Sequence, residues 1–398
     1  MENPKLALIP SGYKSGKVYS ILPTDGVGDF TFTRASEGTR IKENGLIGTE
    51  LNGIPRLDWS NSDCPSLLLE PQRTNNLLYS EDLTNAVWSK ISAGTGTNPV
   101  VTANYSLSPS GEQNADRIVF NQGSGIGGSD YSIVRQIVSN VGQGISSVYM
   151  KSNTSQNYLI SIDEVGFNNN VTVTPEWQRF EYSESTNDRL QLSLRAGNNS
   201  SYADVSVWGA QMEAGSYPTS YIKTTGGIET RLVDTCEVAS GLQEYIGQNK
   251  GTLFVDFEYL APIENNSSTD SIRDVFILGK SGNITDYITF DNYRSIFRVF
   301  INQSGVVSSV SSAVAGSALA NTRYRFAIRY ENGNSKSFLN GSLLGSSSVN
   351  INFGTVLDGI FFSWSANSRP FRNQKKVYDL RTYKEALTDA QLIELTTI

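Results

Sequence analysis

The chain has 398 residues, which is more than one ordinary domain, so two or three domains are expected. Its formal net charge of −7 and the lack of a Lys/Arg cluster argue against binding to nucleic-acid phosphates. Histidine is absent, which excludes Ser-His-Asp and Cys-His catalysis and every His-ligated metal site.

Targeting and redox signals are equally sparse. No apolar run approaches the ~20 residues needed to cross a bilayer, and the start of the chain lacks the apolar centre of a signal peptide. We therefore expect a soluble protein without membrane insertion that folds in a cytoplasm. Cys64 and Cys236 are too few for a disulfide scaffold or a zinc site, and each is expected to be a small buried residue.

Residues 1–75 contain short strands separated by glycine. Phe30 and Phe32 alternate with threonines, which is typical of a half-buried strand. The pair Asn44-Gly45 predicts a tight type I′ hairpin. This region has few large apolar residues, so we expect it to lean on a neighbouring domain or on a second copy of the chain.

The stretch "CPSLLLEPQRTNN", residues 64–76, holds three consecutive leucines between two prolines. Pro65 and Pro71 exclude a helix. Adjacent residues of an extended chain point to opposite sides, so both faces of this segment must be covered. It is interpreted as a seam between folding units or between chains.

Residues 76–225 predict a second β-rich region. In "LQLSLRA", Leu190, Leu192 and Leu194 face one way and polar residues face the other. Several such strands without intervening helices favour an antiparallel sandwich. The stretch 216–227, "SYPTSYIKTTGG", has no apolar period and reads as an exit linker.

Residues 226–398 return to the strand pattern, with two successive hairpins that form a meander around "RYENGNSKSFLNGS". Only "LTDAQLIELTTI" predicts a helix. Thr388 is its expected N-cap, Asp389 complements the helix dipole, and Leu392 and Leu395 share a face.

Three sets of motifs resemble known families. "GTLFVDFEYLAP", "YRFAIRYENGNSKSFLNGSLLGS" and "KVYDLRTYKEALTDAQLIEL" are similar to a concanavalin A-like, laminin-G-like jelly roll over 226–398. "LLYSEDLTNAVWSK", "TPEWQRFEYS" and "ADVSVWGAQMEAGSYPTSYIKTTG" resemble a galactose-binding-like, carbohydrate-binding-module-like jelly roll over 76–225. "KVYSILPTDGVGDFTFTRASEGTRIKENGLI" and the leucine stretch resemble the N-terminal part of tailed-bacteriophage (crAss-like) virion fibre or spike proteins.

The resemblance implies an all-β protein of two tandem antiparallel jelly-roll sandwiches, preceded by a small β-rich region at 1–75 for virion attachment and oligomerisation. It implies a virion protein made in the host bacterial cytoplasm, a head or tail fibre that binds virion head or tail proteins and adheres to cell-surface glycans, as a homotrimer without catalysis. A ligand-free capsid-decorating head fibre and a carboxylate-dependent glycan hydrolase or lyase are the alternatives.

Candidate ligand-binding residues are aromatic and cationic side chains beside polar loops. Trp364 with Arg369, and Tyr287 and Tyr293 on neighbouring turns, are predicted to contact sugar. Core packing remains an open alternative for Trp364. The other three tryptophans at family positions are interpreted as core: Trp88, Trp177 and Trp208.

Carboxylates offer two further hypotheses. Asp256 and Glu258 share one face of a strand, as a glycosidase pair requires, although a solvated acidic face is the favoured interpretation. No cofactor is predicted, but the loops at 267–274 and 283–292, and Asp204, supply oxygen ligands that leave structural Ca²⁺ open.

Overall fold

The computed structural model describes residues 2–60, 63–139, 141–163, 169–184, 188–195, 197–260, 272–283, 285–293, 296–312, 319–362 and 374–398. The described residues form β-strands almost throughout. Nine strands precede residue 76: β1 (Leu6–Leu8), β2 (Tyr13–Lys14), β3 (Lys17–Val18), β4 (Phe30–Thr33), β5 (Gly38–Ile41), β6 (Ile47–Glu50), β7 (Arg56–Asp58), β8 (Ser66–Leu69) and β9 (Arg73–Asn75).

Eleven strands follow in the middle of the chain: β10 (Ser89–Ala93), β11 (Thr97–Ser106), β12 (Ala115–Asn121), β13 (Tyr131–Ile137), β14 (Gly144–Ser152), β15 (Tyr158–Asp163), β16 (Asn170–Val173), β17 (Gln178–Glu184), β18 (Arg189–Arg195), β19 (Tyr202–Ala214) and β20 (Glu229–Arg231). In this part the alternation is as predicted for "LQLSLRA", whose three leucines are buried.

The last part of the chain contains eleven strands and a helix: β21 (Thr235–Val238), β22 (Gly251–Tyr259), β23 (Ile272–Gly279), β24 (Tyr287–Tyr293), β25 (Ile296–Gln303), β26 (Val306–Ser312), β27 (Thr322–Tyr330), β28 (Ser335–Leu339), β29 (Ser342–Ser347), β30 (Gly359–Phe361), β31 (Lys375–Tyr383) and α1 (Asp389–Thr396). The predicted helix is confirmed. Thr388 caps it in a capping box with Gln391, and Leu392 and Leu395 are buried.

The strands divide into two compact units. The first comprises Met1–Gly45, Thr49–Gln72 and Leu232–Ile398, and the second comprises Leu46–Gly48 and Arg73–Arg231. The first unit contains two large sheets. One has the strand order β29-β28-β27-β22-β31-β8-β7, with β1 beside β31, and the other has the order β2-β3-β4-β21-β30-β23-β24-β25-β26. Sheets in the order β10-β13-β18-β15-β16 and β11-β12-β19-β14-β17 form the second. The predicted all-β class of antiparallel jelly-roll sandwiches is confirmed.

The N-terminal strands are part of the sandwich that the C-terminal residues build. β31 pairs with β1 and β8 as well as with β22, and β21 pairs with β4. The domain boundaries predicted at 75/76 and 225/226 therefore make residues 1–75 a separate region, whereas the structure joins their strands to the sheets of the C-terminal residues. The proposed virion-attachment role of residues 1–75 stays a prediction.

The leucines form a strand inside one sheet of the first unit, and the chain passes to the second unit after Gln72, within the stretch interpreted as a seam. Leu67, Leu68 and Leu69 are all buried in β8, which lies between β31 and β7. Both faces are covered, as three consecutive apolar residues require. Because the partner residues lie about three hundred positions away, at Lys375 and Val377, no local pattern reveals this pairing.

A buried ionic network fixes the N-terminal strands of the first unit. Arg56 donates to Glu70 and Asp234, and Arg34 donates to the other oxygen of Asp234 at 3.2 Å. Glu70 also accepts from Gln374 at 2.7 Å. Burial would lower the pKa of Arg56, but the two carboxylates outweigh it and raise that pKa. Breaking such a network leaves an uncompensated buried charge, which is strongly destabilising.

Smaller sequence predictions have mixed outcomes. Phe30 and Phe32 are buried and the threonines beside them are exposed, as predicted. β5 and β6 form the expected hairpin, but its turn occupies residues 42–46 rather than two residues. Cys236 is buried, whereas Cys64 is exposed, so its predicted burial is wrong. No helix within the described residues is long and apolar enough to span a membrane.

Candidate functional site

The predicted sugar-binding residues fall only partly within the described chain. Trp364 and Arg369 lie outside the described residues. Tyr287 starts β24, is half-buried and packs against Ile277. Tyr293 ends the same strand, and its side chain lies outside the described part. A packing contact is thus visible for Tyr287, and the binding roles of all four residues stay predictions.

The two acidic residues of β22 are buried, so their interpretation as a solvated face is wrong. Asp256 is 3% exposed and Glu258 is 6% exposed. Arg323 and Arg325, on the adjacent strand, donate to the two oxygens of Asp256 at 2.7 and 2.8 Å. The Tyr378 hydroxyl donates to Glu258 at 2.8 Å. These contacts give both carboxylates a role in holding the sheet together.

The segment 283–292, predicted to be a loop, is mostly strand β24, and its acidic side chains are held by protein donors. Asp286 accepts hydrogen bonds from the backbone N–H groups of Ser304 and Gly354, at 2.9 and 2.8 Å. Burial works to raise the pKa of Asp286, but these bonds outweigh it and hold that pKa below its ordinary value. Asp291 forms a two-bond ion pair with Arg298. Among the described residues, no group of three or more acidic or Cys side chains is arranged to hold a metal ion.

The three tryptophans interpreted as core occupy different environments. Trp88 and Trp208 are buried, as predicted. Trp177 is partly exposed, so its predicted core position is wrong. It lies in the turn before β17, where its indole N–H donates to the Leu107 carbonyl at 3.1 Å. A tryptophan fixed by its N–H with part of its ring in solvent is available for contact with a ligand.

The strands around Trp177 present one polar face. In β19, Val205 and Val207 point into the core, and alternate residues point the other way. Ser206 on this outer face is paired with Arg117 of β12 on one side and Lys151 of β14 on the other. These three side chains form a row across the sheet, perpendicular to the strands.

Trp177 extends this row. It immediately precedes Gln178, which pairs with Met150 of β14, so it continues the line that passes through Lys151. The ammonium of Lys151 lies 5.3 Å from the centre of the Trp177 ring. The two side chains therefore form a cation–π pair at one end of the row.

The other half of the same sheet face is covered. The segment 216–227, predicted to be an exit linker, packs over it, and Tyr217, Thr219 and Tyr221 are buried. The Tyr221 ring lies 4.5 Å from that of Trp208, which also meets Tyr149. The linker prediction is wrong because alternate residues of this segment find partners on the sheet.

A hydrogen-bond network stiffens the uncovered half. The Arg117 guanidinium donates to both oxygens of Asp204, with Nε at 2.8 Å from Oδ1. The Asn153 amide donates to the same oxygen at 2.8 Å and its carbonyl accepts from Ser206. Ser206 in turn accepts from the Ser106 hydroxyl at 2.9 Å. The side chains on this surface are therefore held in fixed positions before a ligand arrives.

The charges of this network neutralise each other. Burial would raise the pKa of Asp204, but hydrogen bonds from Arg117 and Asn153 outweigh it and lower that pKa. The bond to Asp204 correspondingly raises the pKa of Arg117. Asp204, considered above as a calcium ligand, is thus ion-paired, and its oxygens already accept three donors.

Two tyrosines complete the surface. Tyr105 is 45% exposed and its ring lies 4.9 Å from the Arg117 guanidinium carbon. Tyr202 is 42% exposed and follows the outward alternation of Asp204 and Ser206. We call this surface the open face; its solvent-facing members are Tyr105, Arg117, Lys151, Asn153, Trp177 and Tyr202, and the buried side chains of Asp204 and Ser206 lie beneath them.

The open face combines flat aromatic groups with fixed donors and acceptors. Pyranose rings present C–H groups to an aromatic ring and hydroxyl groups to polar side chains, and both kinds of partner occur here. Sequence reasoning singled out Trp177 and Asp204 but assigned them other roles. The missed signal is the alternation in "YADVSVW", which places Tyr202, Asp204 and Ser206 on one face.

A second concave surface lies in the first unit. It has a volume of about 450 Å³ and is lined by Arg40, Lys42, Glu43, Asn44 and Trp59. Arg40 is held by Glu50 at 2.6 Å and by the Leu57 carbonyl at 2.9 Å. This cavity also places an aromatic ring beside polar groups, but it lies at the tip of a hairpin rather than on a sheet.

Comparisons with known proteins concern the fold. No family model and no curated protein matches the chain. Among solved structures, the chain is similar to the CBM40 module of the Ruminococcus gnavus IT-sialidase bound to α2,3-sialyllactose, at 14% identity over 38% of this chain and 84% of the module, with a TM-score of 0.31.

Two further similarities have the same character. Domain 4 of the extracellular GH43 arabinanase AbnA from Geobacillus stearothermophilus, in complex with arabinotriose, has 15% identity over 46% of this chain and 82% of that domain, with a TM-score of 0.32. The receptor binding domain of botulinum neurotoxin type G has 12% identity over 40% of this chain and 38% of that protein, with a TM-score of 0.30.

Proposed function

We propose that the chain is an adhesin that binds glycans through the open face of its second unit, without making or breaking a covalent bond. The observation that carries the proposal is the partly exposed Trp177 ring at the end of a row of fixed polar side chains. Aromatic stacking supplies apolar contact area, and Asn153 and Tyr202 supply hydrogen-bond partners for sugar hydroxyls.

The geometry favours weak single contacts. The open face is a sheet surface rather than an enclosed pocket, so a sugar bound there keeps part of its surface in water. Affinity from one such site is modest, and several copies acting together raise it by avidity. This logic favours an oligomeric fibre, and the motif resemblance to tailed-phage fibres makes a virion-borne homotrimer the proposed setting.

Attachment to a virion head or tail is part of the proposal and rests on the motif resemblance alone. Electron microscopy of intact particles labelled with an antibody to this chain tests it. A fibre or spike position supports the setting. Absence of the chain from purified particles would contradict it and would leave the glycan-binding proposal unaffected.

A glycan array tests the binding function. We expect the wild-type chain, displayed in several copies, to bind a defined subset of glycans, and Trp177→Ala to lose that signal. Trp59→Ala is the matched control, since Trp59 is a partly buried tryptophan in the cavity of the first unit. No binding by the wild type would contradict the proposal and would favour a ligand-free decorating fibre. Loss in the Trp59 variant alone would move the site to the first unit.

A further inference from the structure

The charges on the open face are not evenly balanced. Arg117 is neutralised by its two-bond ion pair with Asp204. Lys151 lies on the same row and contacts the Trp177 ring, but within the described part of the chain it has no carboxylate within ion-pair distance. The row therefore carries one cation whose charge is not compensated by a direct partner.

Other ionisable groups near this row are engaged or point elsewhere. Arg179, on the covered side, donates to the Ser147 hydroxyl and the Thr219 carbonyl, both at 2.8 Å. Glu181, on the strand of Arg179, is exposed and pairs with Ser147 of β14, four residues along the strand from Lys151. Glu176 precedes Trp177 and is exposed to solvent. Water screens such an exposed carboxylate, so it does not substitute for a direct partner of Lys151.

We propose that the open face selects acidic glycans, with a sugar ring stacked on Trp177 and its carboxylate directed to the Lys151 ammonium. This inference rests on the proposed glycan-binding function. The Lys151 ammonium lies over the Trp177 indole, 5.3 Å from the ring centre, and a carboxyl substituent projects from the edge of the sugar ring that bears it. A sugar ring that stacks on the part of the indole beside the ammonium therefore brings its carboxylate to Lys151.

The chemistry of the cation supports a carboxylate of this kind. Lysine presents a compact charge with three donors, and unlike the Arg117 guanidinium it is not already committed to a protein carboxylate. The net contribution of an exposed ion pair is small, so we expect selectivity rather than high affinity. A contribution of roughly 0.2–1 kcal/mol corresponds to about a 1.4- to fivefold preference.

The test compares two probes that differ in their carboxyl groups, which are charged in one and uncharged methyl esters in the other. The trimer of galacturonic acid and its fully methyl-esterified form are titrated into the full chain by isothermal calorimetry at low salt. We expect the acid to bind about 1.4 to five times more tightly than the ester. The preference should shrink as salt is added, because salt screens exposed charges.

Two variants assign the preference to one side chain. In Lys151→Gln, the ratio of the two affinities should fall to about one. In Lys280→Gln, which changes an exposed lysine of the first unit, the ratio should stay at the wild-type value. A ratio that survives in Lys151→Gln overturns the assignment to Lys151.

The failure of this inference can be distinguished from failure of the proposed function. Equal affinity for the two trimers, or binding of neither while the array reports only uncharged glycans, overturns acid selection and leaves adhesion standing. An array preference confined to sulfated or phosphorylated glycans overturns the carboxylate assignment. Failure of every array glycan and of both trimers overturns the proposed function as well.

Discussion

Two tryptophans on one face of a sheet in the second unit differ in their exposure to solvent. Trp208 is 2% exposed, between the rings of Tyr149 and Tyr221. Trp177 lies at the end of the neighbouring row of side chains on the same sheet, the row of Lys151, and part of its ring is exposed to solvent. The same residue type on the same surface is structural in one half and available for binding in the other.

The difference comes from the segment that follows β19. Thr219 donates its backbone N–H to Glu213 at 2.9 Å, and the Tyr221 hydroxyl contacts Ser80 at 2.7 Å. These bonds hold the segment over Trp208 and leave the row of Lys151 uncovered. The position of a covering segment, and not the sheet itself, decides which half of the face meets a ligand.

The largest expected effect is the difference between the two tryptophans in the free energy of unfolding lost when each is replaced by alanine. Trp208→Ala removes a fully covered ring and should cost about 3–5 kcal/mol. Trp177→Ala removes a ring that is already partly in water and should cost much less, about 1 kcal/mol. Chemical denaturation followed by circular dichroism measures both. Equal losses would show that the two halves are packed alike and would remove the basis of the comparison.

A smaller effect tests the covering segment. Tyr221→Phe keeps the ring over Trp208 but deletes a hydroxyl that contacts Ser80 and donates to Glu81 at 3.0 Å. We expect a loss of about 1 kcal/mol, the usual net value of such a bond. Tyr202→Phe, which removes the hydroxyl of an exposed tyrosine, is the matched control and should leave the denaturation midpoint unchanged. A neutral Tyr221→Phe would mean that the segment is held by other contacts.

The pH dependence of the stability that Asp204 contributes at the open face provides a finer test. The pKa of Asp204 is lower in the folded chain than its ordinary value of about 4. Its contribution is therefore present above that ordinary value and is lost as pH falls through the lowered pKa. The stability difference between the wild type and Asp204→Asn should be largest near neutral pH and should close in acid. A difference that does not change with pH would mean that Asp204 is not charged in the folded state.

Local patterns predict the strands and the helix well, since they depend on nearby residues. Phe30 and Phe32 alternate because one side of β4 is buried, and Thr388 caps α1 through Gln391 three residues later. The pairing of β8 with β31 depends on residues about three hundred positions apart. The run of three leucines tells that both faces of β8 need cover but does not name the strand that supplies it.

The candidate site was harder to predict for a related reason. The motifs "TPEW" and "YADVSVW" contain Trp177 and Asp204. Whether Trp177 is exposed, however, depends on where residues 216–222 pack. Those residues lack an apolar period because Thr219 and Tyr221 are buried through hydrogen bonds to Glu213 and Ser80. Burial that is driven by polar contacts leaves little trace in hydrophobic patterning.

The most direct test observes the indole N–H signals of the five tryptophans by nuclear magnetic resonance. Glycans selected by the array are titrated into the labelled chain, with Trp177→Phe and Trp208→Phe used for assignment. The account predicts that the Trp177 signal shifts in a saturable way while the Trp208 signal stays in place. A shift at Trp59 or Trp208 with none at Trp177 would contradict binding at the open face.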